Sequence, residues 1–257
     1  FVYAGTKLPG VRQLRPAGVG ESRRARLWTA AHAACLHIHR AIHRDSDRRG
    51  LRLRIVRAVC CTVRRSAGLT AVVAKTSAGA VAHVPVARVP NITALLKHTK
   101  PGAMKFFDIN RRGDHYSKEL IEELLKAATV FEINDEELLL LRDMFDIRGT
   151  SGEDASRWFL DEFDLDYVIL TAGSAYSTIM SRKGEVSTLD TPHVEVVDTV
   201  GAGDSFSGTF TARTLLGDSL ADAHRKAVNT AAFGCTQAGA WPEYPAEMPD
   251  YLVAAGK

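Results

Sequence analysis

The stretch Val197–Gly208 reads VDTVGAGDSFSG and places two glycines directly before a helical pattern. Gly201 and Gly203 allow positive φ values and let the backbone approach a ligand closely. The residues that follow put Phe206 and Phe210 on one face, as expected for a helix that begins at the glycines. Because a helix N-terminus presents unpaired N–H groups and partial positive charge, this stretch predicts an anion site.

Asp204 lies at this predicted anion site, where its carboxylate would repel a phosphate. Phosphoryl transfer to an alcohol gives such a carboxylate a function, because it can accept the proton of the attacking hydroxyl. The alternative is a helix-capping turn in which Asp204 only favours the positive end of the helix dipole.

Three other polar motifs come earlier in the chain, and the first is FFDINRR at residues 106–112. Its side chains Asp108, Asn110 and Arg112 alternate after an apolar run, so they can project together beyond the carboxyl end of a strand. Open α/β sheets bind ligands at that edge. The alternative is a polar exit from strand to loop.

The other two motifs are INDEE at residues 133–137 and VILTAGSAYS at residues 168–177. Asn134 and Glu137 open a helical pattern, so an ordinary N-cap with acids in the first turn is the alternative to a site role. Thr171 and Gly173 end an apolar strand, and a simple turn is the alternative there.

In this order the four motifs resemble those of the ribokinase/PfkB family of carbohydrate kinases, over about residues 91–250, and are most similar to fructokinase-like members. The resemblance implies ATP-dependent phosphorylation of a sugar hydroxyl, with fructose or a similar monosaccharide as the acceptor. It departs from the family at Tyr176, where a second glycine is usual, and at Arg111, where an apolar residue is usual.

The resemblance also implies roles for individual residues. Asp204 would be the base and the Gly201, Ala202 and Gly203 loop the anion hole. Asp108, Asn110 and Arg112 would bind substrate or phosphate, and Asn134, Thr171, Gly173 and Asn229 would border the nucleotide. Glu137 would reach Mg²⁺ through water, and Asp198 and Thr199 would hold a monovalent cation such as K⁺. ATP and Mg²⁺ are the implied cofactors.

The pattern of elements predicts an α/β fold, ribokinase-like, with a mostly parallel central sheet flanked by helices. Strand-like runs cover residues 104–109, 128–133, 166–171, 176–181 and 194–197. Helical patterns cover residues 117–128, 134–145, 152–163, 203–216 and 219–237. The small lid of the family is missing or disrupted, since its sugar-binding motif is absent from the residues before 91.

The first hundred residues differ sharply in charge from the rest, with 19 Lys and Arg against 3 Asp and Glu, while residues 101–257 hold 14 against 27. We interpret residues 1–90 as a basic Arg/His-rich segment without a clear fold, and residues 91–257 as the C-terminal part of the kinase domain. A frame-shifted translation would explain the segment, and sequencing of the source DNA tests this. A basic nucleic-acid-binding arm and a transit peptide are alternatives, and a catalytically defective nucleotide-binding fragment is a further one.

The four cysteines show no disulfide or metal spacing, which favours a reducing, cytoplasmic location. A metal cluster at His32, His37, His39 and His43 is disfavoured, because no spaced acid or cysteine completes it. The expected partners are a small-molecule sugar and ATP, without a membrane or a nucleic acid. A homodimer stays open.

Overall fold

The computed structural model describes residues 59–62, 86–89, 96, 98–99, 101–110, 116–149, 151–239 and 242–254. Strand β1 (Val59–Thr62) pairs in parallel with β2 (Val86–Val89) as a two-stranded sheet. Apart from these strands, the Arg/His-rich segment lies outside the described residues, as do Arg111 and Arg112. Residues 96–191 belong to one compact unit and residues 192–254 to another.

The first unit is built on a five-stranded sheet in which each strand pairs with the next along the chain. Its strands are β3 (Phe106–Asp108), β4 (Val130–Asn134), β5 (Tyr167–Thr171), β6 (Tyr176–Ser181) and β7 (Val186–Asp190). Strands β3, β4 and β5 are parallel, and β6 and β7 extend the sheet as antiparallel neighbours. The sheet is therefore mixed, and the predicted α/β class is confirmed.

Helices α1 (Lys118–Ala127), α2 (Asp135–Phe145) and α3 (Gly152–Glu162) belong to the same unit. Each begins after a polar residue whose side chain accepts a backbone N–H of the first turn: Ser117, Asn134 and Ser151. Such a cap satisfies one of the orphan donors at a helix start and is worth about 1 kcal/mol. The helices predicted by the sequence pattern are therefore confirmed here.

The core of this unit lies between the sheet and the helices and is rich in aromatic rings. Phe131 on β4 and Phe159 on α3 are fully buried, with their ring centroids 5.1 Å apart in an edge-to-face contact. The ring of Phe107 stacks on that of Phe131, with centroids 5.6 Å apart. Burial of each such side chain contributes roughly 1.5–3 kcal/mol, so these rings fix the parallel strands against the helices.

One predicted strand is wrong and one real strand was missed. Residues 194–197 form no strand in the structure, and Val196 and Val197 are largely exposed. Strand β7 instead covers residues 186–190, where exposed and half-buried positions alternate and β6 is the sheet neighbour. The apolar content at 194–197 misled the prediction because a strand requires a pairing partner as well as apolar residues.

The second unit contains the helices that follow the glycine loop. They are α4 (Ala202–Leu215), α5 (Leu220–Cys235) and the short α6 (Tyr251–Ala254). Phe206 and Phe210 of α4 are buried, as are Ala223, Ala227 and Val228 of α5, and α4 packs along α5. Among the described residues, no helix combines the length and apolar character needed to cross a bilayer.

Candidate functional site

Three of the sequence motifs end neighbouring parallel strands. Asp108 is the last residue of β3, Asn134 of β4 and Thr171 of β5, and the register pairs Asn134 directly with Thr171. Because the carboxyl ends of parallel strands lie at one edge of a sheet, the structure brings these polar residues to a common edge. Ligands bind at this edge in open α/β sheets.

Asp108 and Asn110 form a tight turn at the end of β3. The backbone N–H of Asn110 donates to Oδ1 of Asp108 at 3.0 Å, and Asn110 has a φ of 37°. Asparagine tolerates this left-handed conformation better than most residues. The two side chains are half-buried, so the polar strand exit also presents groups at the ligand edge.

Asn134 and Glu137 form a reciprocal capping box at the start of α2. The Asn134 side chain accepts the Glu137 N–H at 2.8 Å, and the Glu137 carboxylate accepts the Asn134 N–H at 3.2 Å. Glu137 is buried. The capping alternative left open by the sequence is therefore present, and it positions the N-terminus of α2 at the carboxyl edge of β4.

The turn after β5 explains how this chain accommodates a tyrosine at position 176. Gly173 takes the positive φ of 52°, and the Ala172 N–H donates to the Tyr176 carbonyl at 2.8 Å. Thr191 Oγ1 donates to the Gly173 carbonyl at 3.0 Å and holds the turn. Tyr176 is the first residue of β6 and needs no glycine, because only Gly173 adopts the left-handed conformation in this turn.

In the second unit, helix α4 begins without a side-chain cap. Its N-cap is Gly201, with a φ of 85°, whereas α1, α2, α3 and α5 all begin after serine or asparagine caps. Ala202, Gly203 and Asp204 occupy the first three helical positions. The Ala202 N–H donates to the Thr199 carbonyl at 3.2 Å, and the Ser205 N–H donates to the Gly201 carbonyl at 2.8 Å. The glycine loop predicted from the sequence thus leads into a helix N-terminus that carries Asp204.

Asp198 fastens this loop at both of its carboxylate oxygens. Oδ1 accepts the Val200 N–H at 3.0 Å, and Oδ2 accepts the Gly239 N–H at 3.1 Å. The N–H groups of Val197 and Asp198 both approach the carbonyl of Cys235. Burial raises the pKa of the Cys235 thiol, and the negative charge of Asp198 raises it further. The loop is therefore tied to the end of α5.

Asn229 uses both ends of its side-chain amide to hold the C-terminal segment. Its Nδ2 donates to Oδ1 of Asp250 at 3.0 Å, and its Oδ1 accepts the Tyr251 N–H at 3.0 Å. Arg225 donates to Oδ2 of Asp250 at 2.7 Å. Asn229 is buried on α5. The predicted neighbourhood of adenine remains a prediction, and the observed role of this side chain is to anchor α6.

Sequence reasoning missed Ser205 and Tyr244. The Ser205 hydroxyl, one residue after Asp204, lies 2.7 Å from the hydroxyl of Tyr244. Burial is the main cause that raises the pKa of Tyr244; the hydrogen bond with Ser205 opposes this rise, and the negative charges of ionised Cys235 and Asp204 add to it. No local pattern could have revealed this pair, because 39 positions of sequence separate the two residues.

Comparison with known proteins gives a family match and several relatives. The model described as "pfkB family carbohydrate kinase" matches residues 71–246, starting ahead of residue 91, where the motifs had placed the boundary. Aminoimidazole riboside kinase of Salmonella typhimurium is 30% identical over 112 residues, which are 42% of this chain and 33% of that protein. Adenosine kinase of Saccharomyces cerevisiae is 31% identical over 144 residues, which are 53% of this chain and 41% of that protein.

A solved structure of fructokinase with bound ATP from Xylella fastidiosa superposes with a TM-score of 0.51 at 20% identity, over 58% of this chain and 51% of that one. At this identity the likeness supports the ribokinase-like fold alone. The chain spans about a third to two fifths of the length of the curated relatives it matches, 33% of one and 41% of the other.

Proposed function

Because this chain belongs to the pfkB family of carbohydrate kinases, we propose that it transfers the γ-phosphoryl group of ATP to a hydroxyl group of a sugar. The observation that carries the proposal is the start of α4, where Gly201 takes the place of a capping side chain and Asp204 lies in the first turn. In this arrangement one short segment holds both the N–H groups at a helix start, which can bind an anion, and the carboxylate of Asp204.

Each part of this segment has a task in the proposed reaction. The first-turn N–H groups and the positive end of the α4 dipole stabilise the charge on the phosphoryl oxygens. The carboxylate of Asp204 accepts the proton of the attacking sugar hydroxyl as the new O–P bond forms. A positioned base of this kind contributes about 10²- to 10⁴-fold to the rate.

For the acceptor we propose fructose or a similar monosaccharide, with Asp108, Asn110 and Arg112 binding the sugar or its phosphate. The names of the two curated relatives favour a second candidate class, the ribosides of a purine or an aminoimidazole. Both classes carry a hydroxymethyl group on a furanose ring, so the same base and anion hole would serve either. The acceptor panel in the experiment below must therefore contain both.

For ATP, we propose Asn134, Thr171, Gly173 and Asn229 as nucleotide-binding residues, the first three at the carboxyl edge of the sheet in the first unit. Support comes from the register that pairs Asn134 with Thr171 at this edge. The bonds from Asn229 to Asp250 and Tyr251 mean that its contribution would act through the C-terminal segment.

For Mg²⁺, we propose that Glu137 acts through water. Among the residues that the structure describes, no three His, Cys, Asp or Glu side chains form a cluster that could hold a metal. This fits a Mg²⁺ ion that arrives on the ATP phosphates and keeps most of its waters, with Glu137 contacting one of those waters. Such an ion would neutralise charge on the phosphates.

For K⁺, we propose Asp198 and Thr199. Each oxygen of Asp198 accepts one backbone N–H, and a carboxylate has about four lone-pair positions, so capacity for a cation remains. Potassium dependence of the turnover would test this pair. A cytoplasmic location and a homodimer remain predictions from the sequence.

The experiment that tests the proposal is ADP formation with Mg²⁺ and K⁺ across fructose, ribose, adenosine and aminoimidazole riboside. Asp204→Asn is compared with Asp222→Asn, because Asp222 occupies the same third position of α5 and also lies in the first turn of its helix. Both changes remove one favourable interaction with a helix dipole, worth about 0.3–1 kcal/mol.

We expect acceptor-dependent turnover that Asp204→Asn lowers by about 10²- to 10⁴-fold, while Asp222→Asn leaves it within about twofold. Equal turnover in the two variants would refute Asp204 as the base. Nucleotide binding without turnover on any acceptor would support the alternative of a catalytically defective fragment. Retention on nucleic acid that falls steeply with salt would support the basic-arm alternative.

A further inference from the structure

The C-terminal segment, residues 242–254, is bonded to both long helices of the second unit. Near its start, the hydroxyl of Tyr244 reaches Ser205 in the first turn of α4. Near its end, Asp250 is held on α5 by Asn229 and Arg225. The segment therefore bridges the helix that carries the proposed base and the helix packed beside it.

The hydroxyls of Tyr244 and Ser205 form a directed chain. Ser205 Oγ donates to the Gly201 carbonyl at 2.8 Å and lies 2.7 Å from the Tyr244 hydroxyl. A serine hydroxyl has one proton, so donation to Gly201 makes Tyr244 the donor in the second bond. The chain runs from Tyr244 through Ser205 to the carbonyl of Gly201.

The end point of this chain is part of the proposed anion hole. The carbonyl of Gly201 and the N–H of Ala202 belong to one planar peptide unit. A bond that fixes the direction of this carbonyl therefore also fixes the Ala202 N–H, which donates to the Thr199 carbonyl, and with it the start of α4. The same carbonyl accepts the Ser205 N–H at 2.8 Å, which closes the first turn of α4.

The surroundings of Tyr244 keep its hydroxyl in place and protonated. Its ring lies 5.5 Å from that of Phe233. Gly234 lies beside the pair: a Cβ atom there would make ordinary van der Waals contacts, 3.5 Å from the Tyr244 hydroxyl and 3.8 Å from Ser205 Oγ. Because burial is the main cause of the raised pKa of Tyr244, the phenol remains a donor through neutral pH.

We propose that Tyr244 is a positioning residue for phosphoryl transfer: through Ser205 it holds the Gly201–Ala202 peptide, and with it the first turn that carries Asp204, in the orientation that the transferring group requires. This proposal rests on the proposed function of the α4 N-terminus. Tyr244 itself has no contact with the reacting groups in this scheme and acts only through Ser205.

The test compares Tyr244→Phe with Tyr251→Phe in the full chain. Both variants lose one phenolic hydroxyl from the C-terminal segment, but Tyr251 is held by its backbone N–H, which donates to Asn229. We expect Tyr244→Phe to lower kcat about 5- to 10-fold with KM for ATP and acceptor within about twofold, as for loss of one orienting hydrogen bond. Ser205→Ala should give a similar loss, and the double variant little more, because both act in one chain.

A second readout does not depend on turnover. Hydrogen exchange of the Ser205 amide, whose N–H donates to the Gly201 carbonyl, should become several-fold faster in Tyr244→Phe but not in Tyr251→Phe. Exchange at Val228 in the buried face of α5 should be the same in both. If the wild-type chain phosphorylates no acceptor, the proposed function fails, and this exchange alone decides the link from Tyr244 to Gly201.

Unchanged kcat and unchanged Ser205 exchange in Tyr244→Phe would overturn the proposal. It would also be overturned if the kcat losses of Tyr244→Phe and Ser205→Ala multiplied fully in the double variant, since the two hydroxyls would then act independently. A loss of kcat that followed a fall in melting temperature equally in both tyrosine variants would show a structural role only.

Discussion

Gly201→Ala separates the stability of the second unit from its proposed catalysis. Gly201 has a φ of 85° at the N-cap of α4. An L-residue in the left-handed region costs about 1–2 kcal/mol of folding free energy. Alanine also lowers the conformational entropy of the unfolded chain, which offsets about 0.4–1 kcal/mol of that cost. The net cost in free energy of unfolding is therefore about 1 kcal/mol, which lowers the melting temperature by roughly 4 °C.

Gly217 provides a matched control in the turn between α4 and α5. Its φ is 87°, and an added Cβ atom there would meet no other atom within 4 Å. Gly217→Ala should therefore cost the same backbone strain, about 1 kcal/mol, without steric overlap. The two variants should show similar falls in melting temperature.

Their effects on phosphoryl transfer should differ. In Gly201→Ala, relief of the strain rotates the Gly201–Ala202 peptide and shifts the first turn of α4, whose N–H groups would form the proposed anion hole. Removal of one such donor lowers kcat by about 10²- to 10³-fold in known acyl-transfer sites, so we expect a loss of about 10²-fold. Gly217→Ala should keep kcat within about twofold.

The assay is ADP release at saturating ATP and acceptor, together with thermal unfolding of each variant. Equal kcat values for the two alanine variants would refute the assignment of the anion hole to this loop. A Gly201→Ala variant as stable as the wild type, beside a destabilised Gly217→Ala, would refute the left-handed conformation at Gly201 itself.

Two further predictions concern titratable side chains in the second unit. Burial lowers the pKa of His224, which is packed edge-on to Phe206, to about 4. Between the unfolded pKa of about 6.5 and pH 4, only the unfolded chain gains this proton, so the free energy of unfolding falls by about 3 kcal/mol. Urea unfolding of His224→Gln at pH 7 and pH 4.5 should lack this part of the pH dependence, and an NMR titration midpoint of His224 near 6.5 would contradict the prediction. Although burial tends to raise the pKa of Asp218, hydrogen bonds from Arg213 and Lys226 lower it overall. Asp218→Asn should lower the free energy of unfolding at pH 7 by about 1.5–3 kcal/mol, as for hydrogen bonds to a charged group, and by less as pH falls below the unfolded pKa of about 3.9. An unchanged urea midpoint at pH 7 would exclude a stabilising role for this cluster.

The sequence alone determined the helices and the order of the motifs. Ser117 and Asn134 cap α1 and α2 as their positions predicted, because a cap and its first turn lie within a few residues of each other. The sequence likewise predicts the glycine loop before α4, because the positive φ at Gly201 is a local requirement that glycine meets.

Local pattern failed where pairing decided the outcome. The apolar residues at 194–197 predicted a strand that the structure does not form, whereas β7 forms from the alternating residues 186–190 because β6 lies beside them. The parallel and antiparallel directions of the strands likewise follow from how the chain returns to the sheet, which no single strand sequence encodes.

Only the tertiary structure decided what the polar groups around the proposed site bond to. Asn229 meets Asp250 from 21 positions away, Ser205 meets Tyr244 from 39, and Asp198 meets Gly239 from 41. Caps and turns depend on neighbours within one helical turn, so sequence reveals them. Contacts such as these depend on the path of the chain between distant segments, and hydrogen-bonding partners are fixed only once packing has brought those segments together.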